Sequence, residues 1–146
     1  MAGSCCDIRA KMEPLVSFCK EAGADLTRIA AANKVRTVFL ASIVVLVAFV
    51  VPFFAAVTVA SYTAGFLLTK LGWELRNVKI LRSLCPQTPE AFDRFSKAVL
   101  ITAVALTIVL QITTPNPLFI YSASVVFDFL LGSLHYNENK IADLLA

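Results

Sequence analysis

Ionisable residues are scarce in this chain. Only 16% of its 146 residues are Asp, Glu, Lys or Arg, against about 25% in average soluble domains. With 58% hydrophobic residues and a mean hydropathy of +0.77, that shortage excludes an ordinary soluble globule. It also excludes disorder, which needs low hydrophobicity and high net charge. Histidine is nearly absent: His135 stands alone, so neither a histidine metal site nor a catalytic pair can be assembled around it. Five Gly and six Pro, spread through the chain, exclude a collagen-like or low-complexity segment. The four cysteines (Cys5, Cys6, Cys19 and Cys85) lack the two close pairs that an all-cysteine zinc site requires. There is no glycine-rich phosphate loop, no nucleophile elbow and no suitably placed pair of carboxylates. No enzymatic activity, cofactor or metal is therefore expected. The net charge of +3 is small and lies beside the apolar runs, so membrane topology accounts for it without nucleic acid.

What the chain does contain is two long uncharged runs. Thr37 to Thr69 is 33 residues long and Ala98 to Phe127 is 30. One spanning helix needs roughly 20 apolar residues, so each run exceeds one upright helix and suits a tight helical hairpin. Val51-Pro52-Phe53 interrupts the first run, and Thr113-Thr114-Pro115-Asn116-Pro117 interrupts the second. Pro52, Pro115 and Pro117 are the expected hairpin breakers. The resulting legs, Val38–Val51, Phe53–Leu71, Ala98–Ile112 and Leu118–Leu134, are mostly about 15–17 residues or roughly 25 Å long.

The expected fold is thus an all-α integral membrane protein with two helical hairpins, four transmembrane or deeply inserted helices, and short amphipathic interfacial helices. Its divisions are a cytosolic amphipathic segment (1–35), a first hairpin (36–71), a basic amphipathic cytosolic connector (72–96), a second hairpin (97–134) and a cytosolic tail (135–146). The alternative is three spans, with one long tilted first helix kinked at Pro52. Bases cluster in 1–36 and in the connector (Arg76, Lys79, Arg82, Arg94, Lys97) and are missing from both tips, which puts the first hairpin's flanks on the cytosolic side. Two hairpins place both termini there, and an intracellular membrane such as the endoplasmic reticulum is expected. Three spans place the termini on opposite faces.

The polar segments carry their own patterns. Residues 1–35 mix acids and bases and lack the apolar core of a signal peptide, and Ala2 rules out N-myristoylation. Pro14 is expected to open a helix whose stripe is Leu15, Phe18, Ala22, Leu26 and Ile29. That stripe is expected to lie on headgroups, or to pack against a partner or the chain's own connector. Trp73 is expected to anchor the end of the first run at the interface. Thr88-Pro89-Glu90 reads as N-cap, first helical residue and first-turn acid of the next helix. The tail from His135 onward is expected along the surface.

Chemistry-bearing residues are few. Asp128 is the one carboxylate within the apolar segments, with Gln111, Ser122 and Ser124 as candidate partners; a proton or ion path is one reading, and a helix-packing role the more economical one. Ala56, Ala60, Ala64 and Gly65 make a small-residue face for close helix approach, serving self-packing of the hairpin or association with other subunits. Cys5, Cys6 and Cys85 are candidates for S-palmitoylation, while a reducing cytosolic side argues against disulfides. The layout of 36–134 resembles that of reticulon-type membrane-shaping proteins, and partly the bilobed hydrophobic domains of bacterial inclusion membrane proteins. The resemblance is architectural and rests on no specific motif. It implies a membrane scaffold or shaping protein. An accessory subunit of a membrane complex and an oligomeric ion or proton channel are the other expected functions. The expected partners are the lipid bilayer and either further copies of the chain or other membrane subunits.

Overall fold

Prolines stand at the start of three of the long helices. The computed structural model describes residues 3–75, 77–112 and 117–146, and the side chains among them other than 3–11, 110, 111 and 117. All regular structure in those residues is helical: α1 (Gly3–Ala32), α2 (Lys34–Val50), α3 (Pro52–Glu74), α4 (Lys79–Arg82), α5 (Pro89–Ile112) and α6 (Pro117–Leu145). Pro52 is the first residue of α3, behind a non-helical Val51 (φ −140°, ψ 82°). Its missing N–H costs nothing there, because the first-turn donors have no helical partner. The α5 start follows the sequence pattern, with the Ala91 amide donating to Thr88 Oγ1 at 3.2 Å and Glu90 in the first turn.

The chain divides into two compact units, Met1–Phe39 and Leu40–Ala146. In the first, the helix expected to begin at Pro14 begins at Gly3 and runs through Pro14. A proline costs a helix interior one ladder bond, and strong helix formers on both sides of it (Arg9, Ala10, Lys11, Met12, Leu15) carry the helix across. Gly23 does not interrupt it either. On the expected stripe Ala22 is buried, Phe18 and Ile29 are half-buried, and Leu15 and Leu26 are exposed. Asn33 joins α1 to α2 at a bend of 110°, its amide donating to Ile29 O at the end of α1 and its carbonyl accepting from the Thr37 amide at the start of α2.

In the second unit, α3 packs along α6, α5 packs against α6, and α4 sits on α3. The contacts climb α3 and α6 in the same order, which makes the pair parallel. Phe54 meets Tyr121 near the start, Thr69 meets Ser133 further along, and Trp73 meets Asn137 at the end. The small-residue face of the first run is expected to serve self-packing of its own hairpin or association with other subunits. Instead α3 takes α6 as its partner, and no side chain of α2 is buried.

α6 also departs from expectation beyond Leu134. Instead of a separate surface tail, the helix continues to Leu145, and His135, Tyr136, Asn137 and Ile141 are buried. Nothing between 134 and 145 breaks a helix, and the connector covers these first turns beyond the apolar run. Two of the described helices are long and apolar enough to cross a membrane, Pro52–Glu74 and Leu118–Leu145. A third is added if Met12–Ala32 and Lys34–Val50 together form one broken span.

Candidate functional site

The crossing of α3 and α6 is set by two glycines. A Cβ at Gly65 would collide with the carbonyl oxygen of Phe129 and lie 2.8 Å from its carbonyl carbon. A Cβ at Gly132 would collide with the carbonyl oxygen of Tyr62 and lie 3.0 Å from the Phe66 nitrogen. Each helix thus presses its backbone into the gap left by the other's missing side chain, the way small residues bring membrane helices together. Of the expected small-residue face, Gly65 lies in this crossing, whereas Ala56, Ala60 and Ala64 are exposed. Gly132 is the partner that sequence reasoning passed over. Its only signal was its neighbour Ser133, a small pair in an otherwise bulky stretch.

Close approach lets short polar side chains reach across. Thr69 Oγ1 lies 2.7 Å from Ser133 Oγ and 2.8 Å from the Gly65 carbonyl. One hydroxyl proton serves one of these at a time, and the Ser133 hydroxyl supplies the other bond. The Tyr62 hydroxyl meets His135 Nδ1 at 2.8 Å, with the two rings edge to face at 5.7 Å. Phe66 and Tyr136 pack edge to face beside them, centroids 5.1 Å apart. Lys70 is buried, with Nζ 3.1 Å from Glu74 Oε1 one turn along.

The seam closes on the connector. The Trp73 indole N–H donates to Asn137 Oδ1 at 2.8 Å, and Asn137 Nδ2 donates to the Leu84 carbonyl at 2.7 Å. Asn137 is fully buried and bridges α3, α6 and the connector at once. The Cys85 thiol donates to the Thr69 carbonyl at 3.5 Å, and its sulfur fills the space over Gly72, where a Cβ would lie only 2.7 Å from it. Burial pushes this thiol up to about 11 from 9.0, so at neutral pH it is protonated and a poor nucleophile. Trp73, expected as an interfacial anchor, is therefore also a structural donor. His135, expected at the surface, belongs to the buried seam.

No family model, curated protein or solved structure matches the chain. The functional reading rests on the chemistry of the chain's own residues. Asp128 lies further up the same pair, accepting from Ser124 Oγ at 3.0 Å and from the side chain of Thr58 on α3. Ser122, another expected partner, donates instead to the Leu118 carbonyl of its own helix. The side chain of Gln111 lies outside the described residues, as do those of Cys5, Cys6 and Pro117 and the whole of Pro115. No group of three His, Cys, Asp or Glu residues able to hold a metal occurs among the described residues. Apart from the buried Nε2 of His135, which meets no hydrogen-bond partner, the seam's donors and acceptors are turned toward one another, between helices, and this arrangement fixes register and distance.

Proposed function

We propose that the protein is a non-enzymatic multi-pass membrane scaffold that shapes the bilayer it occupies. The carrying observation is α2: seventeen residues, thirteen of them apolar, with no buried side chain, attached to a tightly keyed α3–α6 pair. By helical rise the uncharged part of α2, Thr37–Val50, is about 21 Å long, against about 27 Å for that of α3, Pro52–Thr69, and a hydrocarbon core of about 30 Å. The apolar part of α5, Ala98–Ile112, is about 22 Å long. Two short apolar legs beside two long ones displace more lipid from one leaflet than from the other. In this reading the two hairpins are α2 with α3 and α5 with α6, both termini and the connector are cytosolic, and the membrane is an intracellular one such as the endoplasmic reticulum. The parallel run of α3 and α6 supports it, since both are return legs.

The test is reconstitution of the full chain into liposomes at rising protein density. Vesicle diameter is expected to fall as density rises, and an unchanged diameter overturns the proposal. Terminus and tip accessibility in the native membrane separates this topology from three spans. A second reading, an accessory subunit or homo-oligomer, is favoured by the same uncovered α2 surface, which carries Ala41, Ser42 and Ala48 for close contact. Crosslinking that yields only monomer overturns it. For Asp128, bonds from Ser124 and Thr58 support a role in helix packing over one in an ion path.

A further inference from the structure

α4 is a single turn, yet it is held firmly. The carbonyl oxygen and Cβ of Leu81 lie over Gly72, 2.8 and 3.2 Å from where a Cβ would stand, so only glycine lets α4 settle this close to α3. One turn further on, Asn137 grips the Leu84 carbonyl and Cys85 is buried beside it. The Arg82 amide donates to Val78 O, the Val78 amide to Leu75 O, and Ser83 Oγ to Ile80 O. The outer face of this fixed turn is unusual for a polar connector. Ile80 is 81% exposed, Leu75 48% and Val78 40%. Lys79 and Arg82 are both exposed and pair with no acid among the described residues; with Leu81 against α3, the helical turn points Lys79 outward, with Ile80 and Arg82 on either side of it. The acid nearest in sequence on α3, Glu74, is engaged by Lys70.

Position decides what this face meets. α4 packs at Gly72, one residue past Leu71, where the apolar run of α3 ends and Trp73 follows. A bilayer crossed by α3 has its headgroups at that level. An apolar tip with two bases beside it suits the boundary between acyl chains and phosphates. We infer that α4 is a preformed site for anionic phospholipid headgroups, with Ile80 inserted among the acyl chains and Lys79 and Arg82 receiving the phosphate and its additional negative group. The inference rests on the membrane reading above. On the neighbouring α5 the exposed bases are Arg94 and Lys97, and Lys97 is already paired with Asp93.

Trp73 is the single tryptophan and lies beside this turn, so it reports the local lipid. The full chain is reconstituted in phosphatidylcholine vesicles containing a minor fraction of phosphatidylserine, with acyl-brominated quencher on one lipid or the other. Flotation with the vesicles comes first, so that failure to insert, which would sink the membrane reading, is told apart from failure of the site. Each base near an anionic surface is worth about fivefold in local enrichment at low salt, up to about 30-fold for the two together. Brominated phosphatidylserine is therefore expected to quench Trp73 well beyond its bulk share. The preference is expected to fall toward one in the K79Q/R82Q double variant and in about 1 M salt, where screening reaches about 3 Å. Lys97→Gln is expected to leave it unchanged. Equal quenching by the two lipids overturns the inference, as does a preference that survives K79Q/R82Q. An equal loss in Lys97→Gln also overturns it, because net charge alone would then be responsible.

Discussion

Replacing Gly65 by Ala adds one methyl group at the point where α3 and α6 come closest. The new Cβ would stand 2.8 Å from the Phe129 carbonyl carbon and 3.0 Å from its Cα, in addition to colliding with the oxygen. These are backbone atoms of a helix, and no rotamer change moves them aside. Restoring an ordinary carbon contact of about 3.5 Å requires the helices to separate by about 0.7 Å or more. That separation carries the Thr69–Ser133 and Trp73–Asn137 bonds, now 2.7 and 2.8 Å, to the edge of hydrogen-bonding range. Overpacking costs about 1–3 kcal/mol, and interhelical hydrogen bonds between membrane helices average about 0.6 kcal/mol each. Alanine returns up to about 1 kcal/mol of helix propensity. The expected net loss is about 1–3 kcal/mol. Unfolding of the detergent-solubilised protein by added sodium dodecyl sulfate, followed by Trp73 fluorescence, measures it. Gly132→Ala meets the Tyr62 carbonyl and should cost a similar amount, and the double variant should cost less than the sum, because the first separation relieves the second clash. Gly23→Ala, with nothing within 4 Å of its Cβ, is the control and should be neutral or stabilising by about 0.5–1 kcal/mol. A Gly65→Ala protein with an unchanged midpoint refutes the glycine-keyed crossing.

Asn137→Ala strips partners from the Trp73 N–H and the Leu84 carbonyl, each costing about 1–3 kcal/mol if left unmet; the Trp73 emission should shift to the red, and proteolysis near Leu84 should quicken. A blue-shifted or unchanged emission with unchanged cleavage would contradict the bridge. The Cys85 thiol ionises near 9.0 in the unfolded chain and near 11 when folded. Between those values the unfolded chain binds fewer protons, so the Cys85 contribution to stability is complete below about pH 9 and declines as pH rises toward 11. Denaturation midpoints across that range, compared with Cys85→Ala, test the sign. At neutral pH maleimide should label exposed Cys19 far faster than Cys85; equal rates would remove the buried thiol from the seam.

Much of the helix plan can be read from single residues. Pro52 and the Thr88-Pro89-Glu90 cap act through local geometry, and their effects need no knowledge of the rest of the chain. Pairing between helices is a different matter. In an apolar segment, a residue facing lipid and one facing another helix are chemically alike, so hydropathy does not distinguish Ala60 from Gly65. The partner of Gly65 lies 67 positions away, and nothing in the 33-residue run indicates that it is α6. His135 was misplaced for a related reason. A polar residue after an apolar run resembles the edge of the membrane, and its burial depends on Tyr62 and on a connector folded back over α6. The continuation of α6 past Leu134 was hidden by the same polarity. Pro14 shows the opposite limit, a strong local signal overridden by its helical neighbours.

The parallel pairing sets an order of events during synthesis. Thr69 and Ser133 are 64 residues apart, as are Trp73 and Asn137. At about 5–20 residues per second, α3 spends several seconds in existence before the first of these partners has been made. Two of its buried polar groups are provided for meanwhile by the helix itself: Thr69 has the Gly65 carbonyl and Lys70 has Glu74, each one turn away. Asp128 has Ser124 in the same way. The i,i+4 bonds let each helix enter alone, and the long-range bonds form when the last helix arrives.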